Sequence, residues 1–300
     1  MDWQNTREVG SRLGIRFTLG LIRIVGYRAT RAFVALLALY YTFRVPEARR
    51  CLAEFHRYAL GRSSHWLTYR SFFAFAESIL DRAFAVMGRG RSFNLKVQSP
   101  AGLLDVTEPP RGHLVIGAHL GVMEMARAFA ETERVNFSMM MHDAPSSRLY
   151  DELKRLDPGI ERNVIQVASD ADSVAPLLEV RARLDRGEYV GILGDRTFAN
   201  GPRVKVPFMG VEREFPAGPF LLAAALKAPI LLMFLVKTDV SKYSLLIERF
   251  AEPEDLPNRR DRSAGVEALA LRYSVRLEEY ARRYPTQWYN FYDFWGPKKD

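Results

Sequence analysis

Short apolar runs alternate with longer stretches of helical periodicity through the middle of the chain. The runs predicted as β-strands are 92–97, 114–117, 135–141, 163–167, 189–193, 204–208, 230–236 and 243–250. Helical patterning lies between several of them, at 122–132, 145–156, 173–186 and 217–228, and a last helix is predicted at 262–284. Strands that alternate with helices predict an α/β fold with a central mixed, largely parallel sheet flanked by helices.

The first part of the chain has a different pattern. Residues 13–43 interleave arginines with leucine, isoleucine, phenylalanine and valine, and 32–43 carry no charge. Twelve residues are fewer than the roughly 20 that a membrane-spanning helix needs. The pattern therefore predicts an interfacial or re-entrant amphipathic helical anchor, with Tyr40, Tyr41 and Arg44 at the level of the lipid headgroups. The alternative is an ordinary buried helix pair whose arginines face solvent.

Composition places the remainder in one folded domain. The 300 residues are 48% hydrophobic and 26% charged, and no Pro/Ser/Gly-rich linker interrupts them. We therefore predict a basic membrane-anchor segment at 1–45 and a single α/β domain at 46–300. The only cysteine, Cys51, excludes an intramolecular disulfide and a cysteine-ligated metal site, and burial in a helix is its expected state.

The positive charge of the chain is concentrated near its start. The formal net charge is +8, and the first fifty residues hold nine arginines against three acidic residues. Such a segment suits an anionic membrane, a nucleic acid or an acidic protein. The apolar residues between the arginines favour the membrane, and nucleic-acid binding stays as the alternative.

The clearest candidate for chemistry is the pair His119 and Glu124. Two side chains five positions apart diverge on a regular helix, so they can meet only if His119 precedes the helix. The sequence fits this arrangement, because a buried strand ends near Gly117 and a helix is predicted from Met123 onward. A histidine held by a carboxylate can take a proton from an alcohol near neutral pH. The alternative is a histidine with a purely structural role.

A second group of polar residues follows another predicted strand. The turn Asp195-Arg196-Thr197 comes directly after 189–193, and Arg203 and Lys205 lie a few residues on. The side chains of Arg196, Arg203 and Lys205 are suited to binding the phosphates of an anionic substrate. The alternative is that Asp195 and Arg196 form an ion pair that only fixes the loop. The segment around Gly218 is predicted to open a helix, whose first amides could hold an anion or orient an acyl carbonyl.

Several segments, in order, resemble the lipid A late-acyltransferase family, part of the lysophospholipid acyltransferase superfamily. The matching segments are 117–119 with Glu124, 194–196, 206–210, 215–219 and 228–230. The resemblance implies a glycerolipid acyltransferase-like fold and an enzyme at the cytoplasmic face of a bacterial inner membrane. Such an enzyme moves a fatty acyl chain from acyl carrier protein or coenzyme A to a lipid hydroxyl, with a His119–Glu124 dyad.

The chain departs from the family pattern next to Asp195. Family members tend to have an Asp-x-Asp element where this chain has Asp195-Arg196-Thr197. The acceptor is therefore left open between lipid A, another lysolipid, an amino-acid-linked lipid and a polyene or glycolipid headgroup. A catalytically inactive lipid-binding protein of the same fold is a further alternative.

Direct attack by an alcohol on a thioester requires a base and a group that stabilises the oxyanion. Five residues are predicted to bind substrate: Asp195, Arg196, Arg203, Lys205 and Gly218. Arg196 and the amides near Gly121 or Gly218 are the oxyanion candidates. We expect no metal and no cofactor beyond the acyl-carrying co-substrate.

Two aromatic groups have alternative interpretations. Four apolar residues are predicted either to line an acyl groove or to belong to the core: Phe208, Met209, Phe215 and Phe220. The aromatic run within 288–295 is predicted either to lie at the membrane interface or to pack on the core.

Overall fold

A computed structural model gives the architecture of the protein. It describes residues 12–89, 92–99, 112–126, 129–130, 135–142, 148–156, 163–167, 174–197, 201–258 and 260–296. The α-helices are α1 (Arg12–Arg44), α2 (Pro46–Leu60), α3 (His65–Phe84), α4 (Arg148–Leu156), α5 (Ala175–Asp185), α6 (Gly218–Leu226) and α7 (Arg262–Arg283). The β-strands are β1 (Asn94–Gln98), β2 (His113–Gly117), β3 (Phe137–His142), β4 (Val164–Val167), β5 (Tyr189–Leu193), β6 (Arg203–Phe208), β7 (Val211–Pro216), β8 (Ile230–Asp239) and β9 (Lys242–Ala251).

Seven of these strands form one sheet in the order β1-β9-β8-β2-β5-β3-β4. Neighbouring strands are parallel except for β8 and β9, which pair antiparallel. Strands β6 and β7 form a separate antiparallel hairpin. The mixed, largely parallel sheet with flanking helices is therefore confirmed.

Strand β2 lies at the centre of the sheet and is buried on both faces. Ile116 packs into the cluster on the α7 side, which includes Tyr273 and Trp288. Val115 points the other way, into a cluster with residues of α1 and α3 such as Leu80. Alternation along a strand explains why a run of consecutive apolar residues serves both layers. The end of β2 is thus a rigid platform for the residues that follow it.

Helix α1 packs on the protein with one side only. Leu19, Ile22 and Val34 are buried in the cluster under α3, and Gly26, with φ 79°, divides α1 into two helical parts. On the second part, Leu36, Leu39, Tyr40 and Phe43 are exposed. At about 100° per residue these four lie within roughly 100° of arc, so they form one apolar stripe. No helix in the described residues is long and apolar enough to cross a membrane.

Two parts of the structure differ from the predicted elements. Val211–Pro216, for which the sequence pattern predicts no strand, is a strand, because Val211 and Phe215 pair with β6 in the hairpin register. The predicted helix after His119 begins as a 3-10 turn at Met123–Met125. Cys51 is buried in α2 as expected, and burial raises the pKa of its thiol to about 11.

Buried His56, on α2, gives stability a predictable pH dependence. Burial lowers the pKa of His56 to about 4, whereas an unfolded histidine titrates near 6.5. The unfolded chain therefore binds the additional proton between these pH values, and the free energy of unfolding falls as the pH falls through this window. The loss reaches about 3 kcal/mol below pH 4.

Urea unfolding at pH 7 and pH 4.5 measures this contribution. His56→Gln is expected to reduce the pH dependence, whereas His65→Gln, at an exposed position, is expected to retain it. Equal pH dependence in the wild type and His56→Gln would contradict the assignment.

Candidate active site

The register of two parallel strands brings His119 and Asp195 together. In that register Gly117 of β2 lies beside Leu193 of β5, so the positions two residues beyond each strand are also neighbours. His119 Nδ1 lies 2.8 Å from Asp195 Oδ1, and the His119 backbone N–H donates to Asp195 Oδ2 at 3.0 Å. The pair lies at the carboxyl ends of parallel strands, where α/β proteins bind their ligands.

Close backbone packing fixes the two strand ends. The Gly194 N–H and the Tyr273 hydroxyl both donate to the Gly117 carbonyl, at 2.9 and 2.7 Å. A Cβ on Gly194 would lie 2.9 Å from Ile116 Cγ2 and 3.1 Å from the Tyr273 ring. Position 194 therefore requires glycine for the two strand ends to approach this closely.

The loop after His119 turns sharply at Gly121. Gly121 has φ 74°, and a Cβ there would collide with the Leu235 carbonyl of β8. Only glycine satisfies both conditions without strain. The Val122 N–H then donates to the same Leu235 carbonyl at 2.8 Å, which ties the loop to the sheet.

The C-terminal segment 287–289 completes the site. The Gly121 N–H donates to the Gln287 carbonyl at 2.8 Å, and the Tyr289 N–H donates to the His119 carbonyl at 2.9 Å. Between them, the Trp288 indole N–H donates to Asp195 Oδ2 at 3.0 Å. One tripeptide thus holds the histidine backbone and the carboxylate that faces its ring.

Asp195 is held as a carboxylate despite its burial. Burial alone would raise the pKa of Asp195. This effect is outweighed by the charge and hydrogen bond of His119, the charge of Arg196 and the hydrogen bond from the Trp288 indole, all of which lower the pKa. Together they lower the pKa from 3.8 to about 2. An ionised carboxylate only accepts hydrogen bonds, so Nδ1 of His119 carries the proton and Nε2 is the basic nitrogen. The His119 side chain is 25% exposed and that of Asp195 is 2% exposed, so substrate can reach the imidazole but not the carboxylate.

Glu124, the predicted partner of His119, has its backbone in the 3-10 turn Met123–Met125. Its side chain lies outside the described residues, so the His119–Glu124 contact stays a prediction. The carboxylate that contacts the imidazole belongs to Asp195, which is predicted from the sequence as a substrate-binding residue. The signal that sequence reasoning missed is the pairing of β2 with β5, because Asp195 follows β5 as His119 follows β2.

The other predicted binding residues lie in three different places. Arg196, next to Asp195, donates to the Tyr289 carbonyl at 2.8 Å and lies over the Tyr292 ring. Arg203 and Lys205 lie on the separate β6–β7 hairpin, where Arg203 pairs with Glu214 at 2.9 Å. Gly218 begins α6. The structure thus brings only Arg196 of these four next to the His119–Asp195 pair, and their roles in substrate binding stay predictions.

The aromatic predictions are resolved in favour of packing. The four candidates for an acyl groove are buried members of the core: Phe208, Met209, Phe215 and Phe220. Trp288, Tyr289 and Trp295 are also buried, so the interface interpretation of this run is wrong for them.

The backbone amide of Gly121, one of the predicted oxyanion donors, already donates to the Gln287 carbonyl. It is therefore not an available oxyanion donor in this conformation. Among the described residues, no cluster of three or more His, Cys, Asp or Glu side chains could hold a metal.

Comparison with known proteins identifies the class. The sequence profile of the bacterial lipid A biosynthesis acyltransferase family matches residues 103–296, well over half of the chain. The protein therefore belongs to this family, and membership implies acyltransferase activity. No curated protein matches the sequence. One similar solved structure is that of the 1-acyl-sn-glycerophosphate (LPA) acyltransferase PlsC from Thermotoga maritima. The two sequences are 12% identical, and the match covers 83% of this chain and 98% of that chain, with a TM-score of 0.37.

Proposed function

We propose that the protein is a membrane-associated O-acyltransferase that uses His119 as its general base. It moves a fatty acyl chain from a thioester of acyl carrier protein or coenzyme A to a hydroxyl of a lipid or glycolipid. The observation that carries the proposal is the half-buried imidazole whose Nδ1 faces the buried carboxylate of Asp195, in a chain of the acyltransferase family.

The chemistry follows from the tautomer of His119. Nε2 takes the proton of the acceptor hydroxyl as its oxygen attacks the thioester carbonyl carbon. The tetrahedral oxyanion collapses, the carbon–sulfur bond breaks, and the leaving thiolate takes the proton from Nε2. Asp195 stabilises the imidazolium between these steps, and no acyl-enzyme is needed.

Two further residues have supporting roles in this proposal. Glu124, in the turn after the histidine, assists the imidazole as the second member of the His-x-x-x-x-Glu motif. Arg196 faces the developing oxyanion, a role for which its fixed guanidinium is suited. Asp195 positions the base rather than contacting the substrate.

Comparative lipid mass spectrometry tests the activity. In cells that depend on this protein, its loss is expected to remove an acylated lipid species, and the mass difference identifies acceptor and chain together. Restoration by the wild type but not by His119→Ala supports the proposal. An unchanged lipid profile on deletion would overturn it.

We further propose that α1 holds the enzyme on the cytoplasmic face of the bacterial inner membrane. The exposed stripe of Leu36, Leu39, Tyr40 and Phe43 lies on a helix that also carries exposed arginines such as Arg23 and Arg28. Apolar insertion combined with attraction to anionic lipids is the usual mode of such helices.

Phe43→Asp is expected to weaken partition into anionic liposomes by at least about tenfold, since it removes a large apolar contact and adds a repelled charge. Val275→Asp is the matched control, because Val275 is similarly exposed but lies on α7. Sedimentation with liposomes measures both variants. Equal loss in the two variants, or no binding by the wild type, would contradict the assignment of the stripe.

A further inference from the structure

Strand β8 extends further than its neighbour β2. The two strands pair only as far as Ile116 and Leu232, whereas β8 continues to Asp239. Beyond Leu232, the loop after the catalytic histidine takes over this edge of β8, because Gly121 forms an isolated bridge with Leu235. The backbone that follows the base is therefore built onto the end of β8.

The side chain of Gln287 occupies the next position along the same edge. The Lys237 N–H donates to Gln287 Oε1 at 2.9 Å, and Gln287 Nε2 donates to the Lys237 carbonyl at 2.8 Å. A primary amide offers the same donor and acceptor groups as a peptide unit, so it takes the place of a neighbouring strand here. Gln287 is buried, and loss of its amide would leave two backbone groups of Lys237 without these partners.

The main chain of the same residue supports the catalytic loop. The Gln287 carbonyl accepts from the Gly121 N–H at 2.8 Å, two residues after His119, and the Tyr289 N–H donates to the His119 carbonyl at 2.9 Å. Gln287 thus contacts β8 with its side chain and the His119 loop with its backbone. A displacement of its amide would displace the carbonyl on which the loop rests.

Lys237, the partner of this amide, is held firmly by its own side chain. Its ammonium group contacts the carboxylates of Glu77, at 3.0 Å, and of Asp81, both on α3. Both carboxylates are buried, and Arg31 of α1 also pairs with Glu77. Such groups keep their partners, because an unpaired buried charge is strongly destabilising. The Lys237 backbone is therefore a fixed point to which Gln287 ties the C-terminal segment.

We propose that Gln287 is a positioning residue for the general base. Its side-chain amide fixes the C-terminal segment against β8, and its carbonyl fixes the loop that directs His119 Nε2 toward the acceptor hydroxyl. The inference rests on the proposed acyltransferase mechanism and adds a residue that acts through the His119 loop. Displacement of a catalytic group by about 1 Å can lower a rate by about 10²-fold. Two hydrogen bonds remote from the reacting atoms are therefore sufficient to control kcat.

Gln287→Met tests this role, because methionine has a similar length and lacks the amide donor and acceptor. We expect kcat to fall by about 10²-fold, with KM for the thioester donor little changed. Circular dichroism verifies that the variant is folded. A folded Gln287→Met protein with the wild-type kcat, or with a raised KM and an unchanged kcat, would overturn the inference.

Gln98→Met is the matched control. Gln98 also donates from its side-chain amide, to Ser244 Oγ at 2.6 Å, but it lies on β1 at the edge of the sheet. We expect its kcat to equal that of the wild type. A similar loss of kcat in the two variants would show that any lost glutamine contact lowers activity, and the positioning role would be refuted.

A double-mutant cycle separates positioning of the base from a general loss of structure. In a His119→Ala protein the base is absent, so Gln287→Met is expected to lower the residual rate by less than about twofold. A general structural defect would instead lower the rate by the same factor with and without His119. Equal factors in the two backgrounds would contradict the proposed role.

Gln287→Asn provides the test if Gln287→Met does not fold. Asparagine keeps the amide but is one methylene shorter, so it cannot make both hydrogen bonds to Lys237 while its carbonyl stays on Gly121. A lowered kcat is expected, and a wild-type kcat in this variant would refute the inference. Undiminished transfer by His119→Ala would refute the acyltransferase mechanism itself. An inactive His119→Ala beside fully active Gln287 variants would refute only the positioning role.

Discussion

Replacing His119 with alanine is expected to lower kcat by about 10²- to 10⁴-fold, the range that a general base contributes. The imidazole packs at the surface of the site, and its ring contact is with Asp195, so the fold is expected to persist. Acyl transfer from a radiolabelled thioester to an extracted lipid acceptor measures the loss, and circular dichroism verifies folding.

His65→Ala is the matched control for this experiment. His65 is exposed at the start of α3, so its removal is expected to leave acyl transfer at the wild-type rate. Wild-type activity in a folded His119→Ala protein would remove the base from the mechanism.

Asp195→Asn is expected to cause a loss of similar size for a different reason. Asp195 accepts three hydrogen bonds, from His119 Nδ1, from the His119 backbone and from the Trp288 indole. An asparagine has one acceptor oxygen. If that oxygen accepts from the His119 backbone N–H and the Trp288 indole, as Oδ2 of Asp195 does, the asparagine NH2 group faces His119 Nδ1. Nδ1 must then accept a hydrogen bond, so the imidazole proton moves to Nε2. The base is then blocked, and kcat is expected to fall by about 10²- to 10⁴-fold with little change in KM.

Two companion variants separate the roles of the surrounding groups. Trp288→Phe removes one donor to Asp195 and keeps an aromatic ring in the core, so a smaller fall in kcat is expected. Glu124→Gln measures the contribution of the second carboxylate in the motif. If Glu124→Gln abolished transfer while folded Asp195→Asn retained it, Glu124 rather than Asp195 would be the residue that orients the imidazole.

The sequence was sufficient to predict the elements around His119, and their local patterns explain why. Leu114 to Ile116 form an uninterrupted apolar run, and glycines 117 and 121 mark the turn after it. The order of the sheet strands is not local information. Asp195 lies 76 residues after His119, and their contact depends on β2 and β5 being neighbours in register. The role of Asp195 beside the histidine was therefore not accessible from spacing alone.

The hairpin strand and the C-terminal aromatic residues were missed for related reasons. The three residues between Val211 and Phe215 are all charged, so no alternation of apolar and polar residues marks this strand in the sequence, and the helix that begins at Gly218 follows closely. Aromatic residues within 288–295 suit either a membrane interface or a core. Their burial is decided by Phe55 and Phe208, from α2 and β6, which contact the Trp288 ring.

The position of Trp288 in the chain also sets the order in which the parts of the site are made. Its indole donates to Asp195, 93 residues earlier in the chain, so the carboxylate acquires its full set of donors only after residue 288 has been translated. Helix α1 is made well before that, and domains fold from the N-terminal end as they emerge. If α1 binds the bilayer as we propose, a nascent chain reaches the membrane before the third hydrogen-bond donor of Asp195 exists.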